Sequence, residues 1–318
     1  MKVRGPVFLS IVLIGLLVAA FYVPANNAEK EAVMIKSMLS SLDRFHFKPQ
    51  KVDDAFSEKV FKLYLDRIDG NKRWLTQADV DLLDDFETRL DDEADAGTYE
   101  FFDLSLKLIK RGLDKTQGYY QEILATPFDF SSNESIEMDG DKKTRAKSDA
   151  ELKESWKMYL KYETLTRLSE SLKKQKEGDE ELKGKSMADL EKEAREDVLD
   201  VFDKWYKRLG QLKRNDRLST YLNSVANVYD PHTGYFKPRD KEDFDIRMSK
   251  TLEGIGARLQ TDGDYTKVID IVVGGPAWKG KELKADDMIT KVAQEGEEPV
   301  DVTGMVIGDV VDMIRSKK

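Results

Sequence analysis

Cysteine is absent from all 318 residues, and there are only two histidines, His46 and His232. The first absence excludes disulfides and thiolate metal sites. The second leaves too few imidazoles for a histidine-rich metal centre, so no metal and no cofactor is expected. Nor is there an excess of cations. The chain carries 52 Lys and Arg against 61 Asp and Glu, a net charge of -9. Nucleic acid is therefore not an expected partner, because phosphate binding needs a basic surface. No complete Gly-x-x-x-x-Gly-Lys-Ser/Thr phosphate loop and no Gly-x-Ser-x-Gly elbow occurs. Carboxylates are so abundant that no pair stands out as a general acid and base. No complete active site is visible, and no catalytic residue is nominated.

What is present begins with a targeting element. Lys2 and Arg4 precede an uncharged apolar run over residues 7–23, which Pro24 and polar residues follow. A positive start before a long apolar stretch is the pattern of export across a membrane. Its length fits either a signal peptide cleaved near Val23-Pro24-Ala25 or an anchor in the inner membrane. Residues 1–28 are assigned to this segment, and the chain is expected in the periplasm or cell envelope.

Residues 29–229 read as one helical domain. Ile35, Met38, Leu39, Leu42 and Phe45 recur at helical spacing, and Pro49 ends that helix. A second helix is expected from Val52 to Ile68, closed by the turn Asp69-Gly70-Asn71. Thr76 is placed to cap a helix carrying Val80, Leu83 and Phe86, with Asp79 in its first turn. A long aromatic helix follows from Tyr99 to Leu124. Residues 131–150 read as an exposed loop. Helical spacing resumes at Glu151 through Trp156, Tyr159, Leu165 and Leu168. The charged stretch 173–185 reads as a solvated loop or helix face. Two further helices are expected, at about 186–212 and 216–229.

Composition changes at Tyr229-Asp230-Pro231-His232-Thr233-Gly234, where Pro and Gly form a turn. His232 beside Asp230 invites a reading as a catalytic base. Groups so close in sequence at a proline turn seldom meet in triad geometry, and a structural role is the better reading. Residues 230–250 are assigned as a connector, with an amphipathic stretch from Asp243. Beyond it, strands predominate. Gly254-Ile255-Gly256 leads into a strand whose hairpin turn is Thr261-Asp262-Gly263-Asp264. A β-branched run follows from Tyr265 to Val273, and Gly274-Gly275-Pro276-Ala277 opens a short helix. Asp287–Val292 and Pro299–Val302 are extended, and Met305–Arg315 is the last helix. Bare amides ahead of a free strand edge can hold a peptide's terminal carboxylate while the peptide adds to the sheet. A Gly-Ile-Gly by itself also fits an ordinary bulge or turn. It is not a dinucleotide fingerprint, because Leu259 stands where the third glycine belongs.

The block from Leu252-Glu-Gly-Ile-Gly-Ala through Val273-Gly-Gly-Pro-Ala and Asp287-Met-Ile to Gly308-Asp-Val-Val-Asp-Met-Ile-Arg resembles a bacterial PDZ domain. More narrowly, it is similar to that of the tail-specific, or carboxy-terminal processing, serine proteases. Asp230-Pro-His-Thr-Gly-Tyr-Phe-Lys-Pro-Arg239, Asp69-Gly-Asn-Lys-Arg-Trp-Leu-Thr76 and Pro127-Phe-Asp-Phe130 match the same family, in its periplasmic long-form branch. The resemblance implies an α+β chain, with a large all-α N-terminal domain before a small, incomplete PDZ domain at 251–318. It implies that the PDZ binds apolar C-terminal tails of protein substrates, and that a serine nucleophile and a lysine base in another domain cut them. A Ser-Lys pair works where burial keeps the amine neutral, and it needs no histidine.

Carried onto this chain, Leu252, Gly254, Ile255 and Gly256 would form the carboxylate loop. Ala257, Arg258 and Leu259 would pair with the peptide, while Val306 and Val310 would give the helix side of the pocket. Asp286 departs from the family's Gly, a position where Asp tolerates a left-handed turn. The chain stops at Lys318, before the closing strand and the protease domain, so the expected serine and lysine are not among these residues. The family also implies an envelope adaptor protein as partner, although no residue here identifies one. Two other readings stay open: a non-catalytic envelope adaptor that uses the PDZ to bind protein C-termini, and a structural helical protein whose glycine loop is only a turn.

Overall fold

The computed structural model describes residues 27–249, 254–294 and 296–315. The apolar run 7–23 and Leu252 lie outside the described residues. The chain has an α+β fold and divides into two compact units, with the boundary between Tyr235 and Phe236. That boundary falls inside the stretch expected as a connector.

The first unit is all helix. Its elements are α1 (Asn27–Phe45), α2 (Asp54–Asp69), α3 (Gln77–Asp81), α4 (Leu90–Ala96), α5 (Glu100–Leu124), α6 (Asp149–Lys176), α7 (Met187–Gln211) and α8 (Arg214–Asn227). Four of their starts, those of α2, α3, α6 and α7, are written in side chains that satisfy the free amides of a first turn. Asp53 accepts from Phe56 N, and Ser148 accepts from Glu151 N. Thr76 and Asp79 form a reciprocal capping box, as do Ser186 and Asp189. Gly184-Lys185-Ser186 thus serves a helix start, with Lys185 Nζ 2.7 Å from Glu193.

One helix is shorter than its apolar spacing suggests. The Thr76-capped segment makes only α3, a turn, and a 3-10 stretch at Asp84–Phe86 before α4 begins. Asp81, Asp84 and Asp85 crowd like charges there, and burial, then the charges of Asp81 and Asp85, push the Asp84 carboxyl up. Asp is also a poor helix former, so the continuous helix is lost.

Helix α5 connects two apolar cores. Its first half supplies Phe101 and Phe102 to a cluster with Ile35, Phe61, Tyr64, Leu83 and Tyr221 from α1, α2, α8 and their links. Its second half supplies Tyr120 and Ile123 to a cluster with Leu152, Trp156, Val198, Phe202 and Tyr206 from α6 and α7. Each such side chain contributes about 1.5–3 kcal/mol when fully buried. Leu165, expected inward on α6, is instead exposed.

The stretch 131–150 is not a free loop. Its surface is largely exposed, yet it is tied to the turn after α2. Lys72 Nζ donates to the carbonyls of Gly140 and Lys143, at 2.6 and 2.5 Å, and Gln77 N donates to Ala146 O at 2.8 Å. Arg145 pairs with Asp69, whose carboxylate also accepts from Arg73 N, Trp74 N and Leu75 N at 2.7, 3.2 and 3.0 Å. Gly140 lies so close that a Cβ there would sit 2.4 Å from Gly70 O. The sequence Asp69–Thr76 is therefore a folded knot around one buried carboxylate.

The second unit begins with α9 (Pro238–Ser249), longer than the amphipathic stretch expected from Asp243, with Phe236 and Phe244 rings 5.5 Å apart. Strand β1 (Ala257–Asp262) pairs antiparallel with β2 (Tyr265–Ile271) across Gly263-Asp264, and β2 pairs with β3 (Met288–Ile289). The short helix α10 (Pro276–Gly280) lies between β2 and β3. A separate ribbon joins β4 (Lys291–Val292) to β5 (Val300–Asp301), and α11 (Ile307–Arg315) packs against β1 and β4. The expected strand 287–292 is thus split between two sheets. Val268, Val302 and Val310 form the small buried centre. Asp286 adopts φ +73°, the left-handed turn its position requires, and its carboxylate lies 2.8 Å from Lys267 Nζ. Among the described residues no helix is long and apolar enough to cross a membrane.

Candidate peptide-binding site

Gly254-Ile255-Gly256 is a turn whose carbonyls are tied down on one side. Ala277 N donates to Ile255 O and Val272 N donates to Gly256 O, both at 2.8 Å. In a trans peptide the N–H points opposite to the C=O of the same unit. The amides of Gly256 and Ala257 must therefore point away from the 272–277 turn. Among the described residues no backbone hydrogen bond engages the amides of Gly254, Ile255 or Gly256. The loop thus presents donors with their own positive dipole ends outward, an arrangement that suits an anion.

Glycine is needed here for two separate reasons. Gly256 sits at φ +76°, a region L side chains seldom adopt. A Cβ on it would also meet Gly275 Cα at 3.1 Å and Pro276 Cδ at 3.3 Å. The loop and the Gly275-Pro276 turn pack backbone to backbone, and that contact fixes where the amides lie.

Beyond the loop, β1 is an edge. The sheet order is β1-β2-β3, so among the described residues one side of β1 has no neighbour. Register pairs Ala257 with Ile271 and Arg258 with Asp270, then slips so that Leu259 faces Val268. Ile269 is the extra residue of this bulge on β2, which sharpens the local twist. Arg258 is exposed and lies 3.8 Å from Asp270, while Leu259 is half-buried. An unpaired edge that starts at a donor-rich loop can accept an extended chain by strand addition.

The structure brings Gly254, Ile255, Gly256, Ala257, Arg258 and Leu259 into one continuous edge. The two helix-side residues separate. Val306 is exposed and precedes the helix, its carbonyl accepting from Asp309 N and Val310 N at 2.8 and 3.3 Å. Val310 is buried without exposed surface and belongs to the core. The half-buried apolar stripe on α11 is instead Ile307, Val311 and Ile314, at i, i+4 and i+7.

In the first unit, Asp230 organises the turn around it. Its carboxylate accepts from His232 N at 2.7 Å, Thr233 N at 3.0 Å, the Thr233 hydroxyl, and His46 Nε2 at 2.6 Å. The Thr233 hydroxyl and then His46 hold the Asp230 carboxyl well below the usual carboxylate range. His46 is raised above its ordinary value, first by Asp230 and then by the Lys48 carbonyl, which lies 2.9 Å from Nδ1. The exposed His232 contributes its backbone amide, in line with a structural role. The His46 partnership spans 184 positions and leaves no local signal in the sequence.

The comparisons with known proteins agree on one family. Residues 38–239 match the family model described as the tail specific protease N-terminal domain. The chain belongs to the tail-specific protease family. The resemblance read from the sequence is borne out at that level. The chain is 30% identical over 298 residues to the tail-specific protease of Haemophilus influenzae, covering 93% of itself and 40% of that protein. It is 29% identical over 126 residues to the carboxy-terminal processing protease CtpA of Bacillus subtilis, covering 37% of itself and 26% of the relative. It therefore spans well under half the length of either. Among solved structures it is similar to the PDZ domain of a Vibrio cholerae carboxy-terminal protease in complex with peptide. That match is 51% identical with a TM-score of 0.21, over 21% of this chain and 68% of that one.

Proposed function

We propose that this chain is the substrate-receiving part of an exported, carboxy-terminal processing serine endopeptidase. The second unit acts as a PDZ domain that captures apolar C-terminal tails of protein substrates. A tail adds to the open edge of β1 at Ala257–Leu259, and its carboxylate rests on the amides around Gly256. Its last side chain lies against the apolar stripe Ile307, Val311 and Ile314. Cleavage by a serine nucleophile and a lysine base belongs to a further domain. The apolar run 7–23 behind Lys2 and Arg4 supports export to the cell envelope.

The observation that carries the reading is the coincidence of outward amides at Gly256 and Ala257 with an unpaired strand edge that begins there. Either feature alone is common. The test is fluorescence anisotropy with one apolar-ended peptide in two forms, free acid and C-terminal amide. The free acid is expected to bind tighter, and equal binding of both forms would refute capture of a carboxylate. In-frame coding sequence after Lys318 with a family-like serine and lysine distinguishes the protease from a non-catalytic adaptor.

A further inference from the structure

Helices α5, α7 and α8 of the helical unit line a cleft of about 380 Å³. Leu106, Lys110 and Leu113 stand at i, i+4 and i+7 on α5, so one stripe of that helix forms a wall. Leu209 near the end of α7 and Leu212 just after it form another. A cavity of this size, with largely apolar walls and a few polar groups, is the usual form of a small-molecule site.

Among the described residues three cations line the cleft, and two of them are already neutralised. Lys110 Nζ lies 2.6 Å from Asp114, and Arg214 lies 2.7 Å from Glu31 and 2.5 Å from Asp103. Arg217 differs. Among the described residues it forms no ion pair, and its Nη2 donates only to a backbone carbonyl, Leu209 O, at 3.2 Å. Burial pulls this guanidinium below its ordinary value, against Tyr64 and Asp216, which raise it. A half-buried cation without a counter-ion has lost hydration that a bound anion can replace.

The walls decide which anion fits. A phosphate carries more charge than one open guanidinium can match. A peptide would bring backbone amides and carbonyls that leucine side chains cannot satisfy. An unbranched alkyl carboxylate brings a single charge and an apolar chain, and both are matched. At about 30 Å³ for a group the size of water, the cleft holds about a dozen heavy atoms, close to an eight- to ten-carbon acid.

We propose that this cleft binds a fatty acid of medium chain length: its carboxylate pairs with Arg217, and its chain lies against Leu106 and Leu113 on one side and Leu209 and Leu212 on the other. The site belongs to the helical unit alone and does not depend on tail capture.

The experiment is equilibrium dialysis of the full chain against labelled hexanoate, octanoate and 1-octanol, with wild type, Arg217→Gln, Arg217→Lys and Leu209→Gln. Two added methylenes should make octanoate bind about tenfold tighter than hexanoate. Arg217→Gln should lose about tenfold in octanoate affinity and leave octanol unchanged, while Arg217→Lys keeps most of the acid binding. Leu209→Gln should weaken acid and alcohol alike. The proposal is overturned if wild type fails to bind octanoate, or if Arg217→Gln binds it as wild type does. Equal loss of both ligands in Arg217→Gln, the mark of a merely structural role, overturns it too, as does full octanoate binding by Leu209→Gln. Unchanged far-ultraviolet circular dichroism establishes that each variant is folded.

Discussion

Replacing Gly256 by Ala separates the two reasons for glycine in the loop when it is set beside Gly263→Ala in the hairpin turn. Both positions are left-handed, at φ +76° and φ +60°. An alanine therefore costs about 1–2 kcal/mol at either from backbone sterics alone. The spaces around them differ. No heavy atom lies within 4 Å of a Cβ built on Gly263, whereas one on Gly256 meets Gly275 Cα at 3.1 Å and Pro276 Cδ at 3.3 Å. Those approaches are inside the favourable carbon–carbon range of about 3.5–4.0 Å, and such overpacking adds about 1–3 kcal/mol. The expected totals are about 2–5 kcal/mol for Gly256→Ala and about 1–2 kcal/mol for Gly263→Ala. Native-state hydrogen exchange at the Val268 amide, which donates to Asp287 O in the sheet, reads both values. Peptide affinity should fall about tenfold or more in Gly256→Ala, as the loop amides shift, and stay unchanged in Gly263→Ala. Equal exchange rates and equal affinities in the two variants would refute the reasoning.

Three further outcomes are expected in the helical unit. Asp69→Ala strands the largely buried Arg145 and leaves three backbone amides without their acceptor, so urea unfolding by circular dichroism should show a loss of about 3–5 kcal/mol; a loss below about 1 kcal/mol contradicts the knot. Histidine NMR should place the His46 midpoint above 6.5 and return it toward 6.5 in Asp230→Asn. Because the folded value is raised, the stabilisation is fully present below the unfolded value and is lost as pH rises through the folded one. The lowered Asp230 contributes stability above its ordinary range near 3.8 and loses it as pH falls through its folded value. Burial pushes the Glu93 carboxyl up to about 7, so the folded chain loses stability as pH rises from 4.5 toward 7. Glu93→Gln should accordingly be more stable than wild type at pH 8 and not at pH 5.

The helices were legible because their apolar residues recur at helical spacing and four of them announce their starts with a side-chain cap, at Asp53, Thr76, Ser148 and Ser186. Thr76 with Asp79 is a pattern of four neighbouring positions, and it formed the box its sequence implies. The hairpin was equally plain, since Gly263 stands between alternating runs, and Asp286 kept a left-handed turn by the tolerance of its short side chain. What stayed hidden depends on distant partners. Nothing local links Asp69 to Arg145 or His46 to Asp230, so the exposed loop 131–150 was legible but its ties were not, and His46 went unremarked. The helix side proposed for the site fell in the same gap. Val306 and Val310 and the stripe Ile307, Val311 and Ile314 are equally apolar in sequence, and only packing buries Val310 and leaves the stripe half open.

The central claim is that amides at Gly256 and Ala257 hold a peptide's free carboxylate. The most direct test is a titration of the isotope-labelled chain with an apolar-ended peptide, following backbone amide shifts from Gly254 to Leu259. The account predicts the largest downfield shifts at Gly256 and Ala257 with the free acid, and smaller ones with the amidated peptide. Shifts that bypass those two amides while the peptide binds elsewhere would contradict it.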